Sequence, residues 1–194
     1  SKPKCTITDL DCSDNPFGVT TERAGDTTEA AMSTRMGIGM NHSMIRLDIS
    51  SSGFLPRHLI NVLGGLGNNT NIQSFKMRGI LFDEPCSLLL ANALNNCDKL
   101  EEVIIPNAKM GAQGGAIIIG QIGNFINRFV TVDLSGNELG SYAMLPLGES
   151  LTNHACSIRT LNLSNNNLEE AGGLIIAKAL YKNKSLLDLD LSDN

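Results

Sequence analysis

Residues 157–184, SIRTLNLSNNNLEEAGGLIIAKALYKNK, contain one complete structural unit, and a second unit starts directly after them with SLLDLDLSDN. The unit opens with the spacing LxxLxLxxNxL, which is formed by Ile158, Leu161, Leu163, Asn166 and Leu168. Apolar residues that alternate with polar ones predict a short strand. The Asn that follows the alternation predicts the turn in which the strand ends.

The second part of the unit, residues 169–183, predicts a helix. Gly172, Ile176 and Leu180 are small or apolar and recur every four residues, which places them on one face of a helix. Asn183 stands where such a helix should end. One strand followed by one helix is therefore the unit from which the fold is built.

The same unit recurs along the whole chain. The first apolar residue of each strand pattern serves as an anchor, and the seven anchors are Ile7, Met44, Ile72, Leu100, Phe129, Ile158 and Leu186. The intervals between them are 37, 28, 28, 29, 29 and 28 residues. A phase kept over seven units predicts one α/β domain, residues 1–194, with about seven repeats of 28–29 residues. The last unit lacks a helix segment, so we expect this domain to be a segment of a longer protein.

This pattern resembles the leucine-rich repeat of the ribonuclease-inhibitor type, the subclass in which each repeat holds a strand and a helix. The resemblance implies a horseshoe-shaped solenoid, with parallel strands on the concave face and helices on the convex face. Residues 44–72, MIRLDISSSGFLPRHLINVLGGLGNNTNI, resemble more weakly the repeats of the actin-regulating CARMIL proteins. That second resemblance implies a cytoskeletal partner.

Composition and motifs argue against several classes of function. The net charge of −5 and the absence of a basic stripe disfavour nucleic-acid binding. No run of about eighteen apolar residues exists, so membrane insertion is not expected. The three histidines fall in different units, and the chain has no HExxH or CxxC motif. We therefore expect no catalytic residues, no metal site and no cofactor.

The cysteines bear on the compartment in which the protein works. There are five, an odd number, with no CxxC spacing and no Cys-rich terminal cap. Cys12 and Cys86 fall at predicted core positions and are interpreted as small buried side chains. These features favour a reducing, cytoplasmic location. Four N-x-S/T triplets favour secretion instead, although three of them fall near the helix-end Asn of the repeat itself.

The strand residues that lie between the apolar positions should point to solvent and form a recognition surface. At those positions eight residues are acidic and three are basic. The predicted partner-binding residues are Asp9, Asp11, Arg46, Asp48, Lys76, Glu101, Glu102, Asp133, Arg159, Asp188 and Asp190. Their charge favours a protein partner with a basic surface. The alternative is that Asp is simply a preferred residue in strands of this repeat, without a role in binding.

The first interval is nine residues longer than the shortest intervals, and the extra residues fall in the loop 18–29. This loop is either a second partner-contacting element or a tolerated surface insertion.

Two classes of function stay open for the whole chain. The preferred one is a protein-binding scaffold without enzymatic activity. The other is an enzyme regulator, because the GTPase activator of Ran has similar repeats.

Overall fold

A computed structural model of the chain describes residues 5–15 and 26–194, and for residues 26–31 it describes the backbone alone. Seven short strands form one open sheet in which every neighbouring pair is parallel and the strand order follows the chain. The strands are β1 (Asp9–Asp11), β2 (Arg46–Asp48), β3 (Ser74–Lys76), β4 (Glu102–Ile104), β5 (Thr131–Asp133), β6 (Thr160–Asn162) and β7 (Asp188–Asp190).

One helix follows each of the first six strands. The helices are α1 (Asp26–Met40), α2 (Pro56–Leu66), α3 (Glu84–Asn96), α4 (Gly111–Asn124), α5 (Met144–Leu151) and α6 (Glu169–Leu180). Each helix contacts the next one along the chain, so the helices form a second layer behind the sheet. The alternation confirms the predicted α/β solenoid. Of the predicted loop 18–29, residues 18–25 lie outside the described residues and the remainder belongs to α1.

The core lies between the two layers and is built from the predicted apolar positions. The central residue of every strand aligns with that of its neighbours, as in Leu47 beside Phe75 and Val132 beside Leu161. These four side chains are at most 1% exposed. Because the side chains of a strand alternate, the residues on either side of each central one face away from the core.

The turn after each strand contains a residue in the left-handed backbone region. The seven residues at this position are Asp14, Ser51, Gly79, Asn107, Gly136, Asn165 and Asp193, with φ between 51° and 67°. Gly, Asn and Asp adopt this conformation at the lowest cost, which explains why they dominate the position. At Gly136 an added Cβ would also lie 2.1 Å from Oδ1 of the exposed Asn107, so the Asn107 side chain would have to move.

A ladder of Asn side chains, buried at Asn137 and Asn166 and exposed at Asn194, joins the turns of the last three repeats. Nδ2 of Asn137, Asn166 and Asn194 donates to carbonyl groups of its own repeat and of the preceding one, at 2.7–3.2 Å. Where the preceding repeat has Ala108 instead of Asn, its N–H donates to Oδ1 of Asn137 at 2.9 Å. The ladder therefore satisfies backbone groups of an irregular repeat as well as those of regular ones.

A second ladder lies at the opposite end of the helices. Nδ2 of Asn69 donates to the carbonyls of Ile38 and Asn41 at 3.2 and 2.6 Å. One repeat further on, the equivalent residue is Cys97, whose thiol contacts the carbonyls of Leu66 and Asn69 at 3.3 Å each. Sequence reasoning did not foresee this role for Cys97. Cys86 is buried as predicted, whereas Cys12 is only half-buried.

The helix predicted over residues 169–183 is shorter in the structure and ends at Leu180. Asn183 lies in the turn that follows, where its Oδ1 accepts hydrogen bonds from the N–H groups of Ser185 and Leu186. Leu180 was predicted to face the core but is 37% exposed. Its counterparts in α2 to α5 are covered by a following helix, and among the described residues α6 contacts α5 alone.

Candidate functional site

Nine of the eleven predicted partner-binding residues lie on one surface, the sheet face, which is defined as the side of the sheet turned away from the helices. Two columns of side chains cross it. The first column is Asp9, Arg46, Ser74, Glu102, Thr131, Thr160 and Asp188, and the second is Asp11, Asp48, Lys76, Ile104, Asp133, Asn162 and Asp190. Glu101 and Arg159 directly precede β4 and β6. The sheet thus brings nine of the eleven predicted residues onto one face, and the other two lie next to it in the chain.

Two ion pairs occupy the part of the sheet face formed by β1 to β4. Nε of Arg46 pairs with Oδ1 of Asp9 on the neighbouring strand. Nζ of Lys76 lies 3.6 Å from Oε2 of Glu102, which also accepts a hydrogen bond from Ser74. The Thr8 hydroxyl, which bonds Asp9, and the neighbouring Arg46 hold the pKa of the Asp9 carboxyl below its usual value. These basic side chains therefore already have partners within the sheet.

The carboxylates of the second column also form the turns that end their strands. Oδ1 of Asp133 accepts hydrogen bonds from the N–H and the hydroxyl of Ser135, at 2.9 and 2.7 Å. Asp190 and Ser192 repeat the arrangement at 2.9 and 2.7 Å. These hydrogen bonds from Ser192 lower the pKa of the Asp190 carboxyl, because they stabilise its charged form. Both Asp133 and Asp190 are half-buried, so the expectation that this column is freely exposed is wrong for them.

A pattern in the sequence, which sequence reasoning missed, indicates that the second-column carboxylates form these turns. Five of the seven repeats have Asp or Asn in the second column and Ser two residues later, at 11–13, 48–50, 133–135, 162–164 and 190–192. The other two repeats lack both residues. Two residues after Lys76, at the position of the Ser, the chain has Arg78, whose N–H donates to Ser50 Oγ instead. Two residues after Ile104 it has Pro106, which has no N–H to satisfy. The Asp or Asn and the Ser occur together in five repeats and are both missing from the other two. This co-occurrence indicates that the Asp residues have a structural role.

A shallow groove of about 440 Å³ runs across β5 to β7. It is lined by Ile104, Thr131, Val132, Asp133, Thr160, Leu161, Asn162, Asp188, Leu189 and Asp190. Among the described residues, no hydrogen bond or ion pair engages Oδ2 of Asp133, Oδ2 of Asp190 or either carboxylate oxygen of Asp188. The groove thus offers acceptor atoms that a partner can reach.

The described part of the chain holds no group of three or more His, Cys, Asp or Glu residues that is arranged to bind a metal ion. Burial raises the pKa of the Cys86 thiol to about 12 and that of Cys97 to about 11, so neither is a nucleophile at neutral pH. No helix within the described residues has the length and apolar character needed to cross a bilayer.

Comparison with known families agrees with the repeat geometry. The Leucine Rich Repeat family model matches residues 157–178, which comprise the strand, the turn and most of the helix of the sixth repeat. The chain is built of leucine-rich repeats. No curated protein matches the chain. Leucine-rich repeat domains commonly mediate protein–protein interactions and are typically non-enzymatic scaffolds, so the sheet face is the candidate binding surface of this one.

Proposed function

We propose that this leucine-rich repeat domain, which spans residues 1–194, is a ribonuclease-inhibitor-like scaffold that binds a basic protein partner in the cytoplasm. The groove across β5 to β7 would form the centre of the contact. The observation that carries the proposal is the presence of accessible acidic groups in that groove: both oxygens of Asp188 and one oxygen each of Asp133 and Asp190. The resemblance of residues 44–72 to CARMIL repeats favours a cytoskeletal or regulatory partner.

The turns make the groove carboxylates well suited to recognition. Oδ1 of Asp133 and Asp190 is fixed by the following Ser, so the side chain is held in one orientation before a partner arrives. Binding to Oδ2 then costs little additional side-chain entropy. A structural role and a binding role for these Asp residues are therefore compatible.

The spacing of the charges suits an extended basic surface. Neighbouring strands lie about 4.8 Å apart, which places Asp133 and Asp190 about 10 Å apart, close to the Debye length at 0.1 M salt. Their mutual repulsion is consequently mild. A partner that crosses several strands would interact with all three carboxylates at once, and its association rate should fall as salt rises.

The test uses a substitution that removes charge without breaking the turns. Asn162 occupies the same column and accepts the same two hydrogen bonds, from Ser164, as its Asp neighbours accept. The triple variant Asp133→Asn, Asp188→Asn, Asp190→Asn should therefore keep its thermal stability. Substitution of these residues by Lys would remove the acceptor atoms. A loss of binding could then not be distinguished from a loss of folding.

The first binding probe is a short oligolysine peptide, followed by proteins captured on the immobilised wild-type domain. Exposed ion pairs contribute about 0.2–1 kcal/mol each, so the triple variant should bind about threefold to a hundredfold more weakly at low salt. The matched control removes three charges from outside the sheet face, with Glu84, Glu138 and Glu170 changed to Gln. Equal binding by the triple variant and the control would show that the sheet face is not the recognition surface.

A further inference from the structure

The sheet face carries acidic groups outside the groove across β5 to β7. Its two columns of side chains include seven carboxylates and two basic groups. Two ion pairs, Arg46 with Asp9 and Lys76 with Glu102, each use one acidic and one basic side chain. Within the described residues, the other five carboxylates of the columns have no ion pair, and they are Asp11, Asp48, Asp133, Asp188 and Asp190. The unpaired charge of the columns therefore lies on these five carboxylates.

These five carboxylates form two separate patches. The first, which we call the β1–β2 patch, consists of Asp11 and Asp48, which are direct neighbours in the register of the two strands. The second is the groove across β5 to β7, which contains the other three carboxylates. The centre of the first patch lies between β1 and β2, and that of the second lies at β6. With strands about 4.8 Å apart, the two centres are about 22 Å apart along the sheet.

In the two columns, the zone between the patches carries no net charge. This neutral zone is formed by β3 and β4, on which Lys76 and Glu102 pair with each other. The other side chains of the columns in this zone are Ser74 and Ile104, which are uncharged. A partner that lies across the strands therefore meets acidic, neutral and acidic surface in this order.

The turns that end the strands do not require the negative charge of the β1–β2 patch. Oδ1 of Asn162 accepts the hydrogen bond that ends β6 in the same way as Oδ1 of Asp48 does at the end of β2. An Asn in place of Asp11 or Asp48 would thus form the same turn. It would also avoid like charges on neighbouring strands, which are destabilising. The turn explains why an acceptor atom is present, but it does not explain the charge.

We propose that one protein partner binds both patches at once, through two basic segments that are separated by uncharged residues. This inference rests on the proposed function, because it adds a second contact region to the same acidic sheet face. Two weak contacts on one partner reinforce each other, since the second forms within the complex that the first has already made. The neutral zone adds selectivity, because a basic residue of the partner placed there would approach Lys76.

The experiment compares two peptides of identical composition by fluorescence anisotropy at low salt. The split peptide has three lysines, the spacer Gly-Ser-Gly-Ser and three more lysines, so the centres of its two basic blocks can lie about 23 Å apart. The contiguous peptide has six lysines followed by the same four uncharged residues. Its basic block spans about 17 Å and can cover the groove, but it cannot reach across the neutral zone to both carboxylates of the β1–β2 patch. The wild type should bind the split peptide about twofold to thirtyfold more tightly, which is the contribution of two exposed ion pairs.

The second arm of the experiment removes the charge of the β1–β2 patch. The double variant Asp11→Asn, Asp48→Asn should keep its thermal stability and lose the preference for the split peptide. Its affinity for the contiguous peptide should stay within about twofold of that of the control. The matched control replaces two exposed acidic residues outside the sheet face, Glu84→Gln with Glu170→Gln, and should keep the preference.

The outcomes separate this inference from the proposed function. A preference for the split peptide that the double variant loses and the control keeps supports contact with both patches. A preference that persists in the double variant overturns the inference. Equal binding of both peptides to the wild type, with both weakened by the triple variant of the groove carboxylates, leaves the proposed function intact and overturns the inference. If neither peptide binds, or if the triple variant weakens neither, both are overturned.

Discussion

Asn166 connects its own repeat to the preceding one through its side chain, and its replacement by Ala should weaken the fold well beyond the loss of one polar contact. The residue is fully buried. Its Oδ1 accepts from the N–H of Asn137 at 2.9 Å and from that of Leu139 at 3.4 Å. Its Nδ2 donates to the carbonyls of Leu134, Leu163 and Ser164.

The decrease in the free energy of unfolding depends on which polar groups lose their hydrogen-bond partner in Asn166→Ala. Other donors contact the carbonyls of Leu134, Leu163 and Ser164, so these acceptors remain bonded in Asn166→Ala. The N–H groups of Asn137 and Leu139 lose their Asn166 acceptor. A buried group without a partner costs about 1–3 kcal/mol, and the longer of the two bonds is the weaker. We expect the free energy of unfolding to fall by about 2–4 kcal/mol.

Urea unfolding followed by circular dichroism measures this change. With a slope of about 2 kcal/mol per molar urea, in the middle of the usual range, the midpoint should move down by about 1–2 M. The control is Asn124→Ala, which removes an exposed Asn at the end of α4. If Asn166→Ala and Asn124→Ala shift the midpoint equally, the buried ladder does not hold neighbouring repeats together.

Two further predictions concern buried polar side chains. Burial, followed by the nearby Arg57 charge, lowers the pKa of His58, whose Nδ1 is buried and has no hydrogen-bond partner among the described residues. As pH falls below the ordinary value of about 6.5, the unfolded chain binds a proton that the folded chain resists, so stability should decrease between about pH 7.5 and 5.5. Urea unfolding at both pH values should show a smaller decrease in stability for His58→Met than for the wild type. Equal decreases in the two proteins would show that His58 does not cause the pH dependence. In the second ladder, Asn69→Cys should melt at a higher temperature than Asn69→Ala, because Cys97 shows that a thiol can contact the carbonyls at that position. Equal melting temperatures would show that the thiol contacts contribute nothing.

Much of the fold was predictable from the sequence, because each structural position occurs about seven times along the chain. The apolar residues of the strands, such as Leu161 and Leu163, face the core in every repeat and keep a fixed spacing. Such a spacing specifies a strand, a turn and a helix without knowledge of contacts between repeats. It also placed the acidic residues on the sheet face, because the side chains of a strand alternate.

The sequence predicted less well wherever a residue depends on its neighbours in the next repeat. Leu180 has the apolar character of a core residue, yet its exposure is set by whether another helix covers it. Cys97 has no sequence similarity to Asn69, but both contact carbonyls of the preceding repeat. The carbonyls that Asn69 and Cys97 contact lie 28 or 31 residues away and are brought close only by the stacking of repeats.

The sequence by itself determined that the chain is a repeat solenoid with acidic strand positions, because periodicity and charge are local properties. The tertiary structure decided how those positions are used. Asp133 and Asp190 are oriented by hydrogen bonds from Ser135 and Ser192 and present their second oxygen to the groove. Likewise, Asp11 and Asp48 form one patch only because strands that are distant in sequence lie side by side. Hydrogen-bond geometry and the alignment of successive repeats are three-dimensional relations, which composition and spacing do not specify.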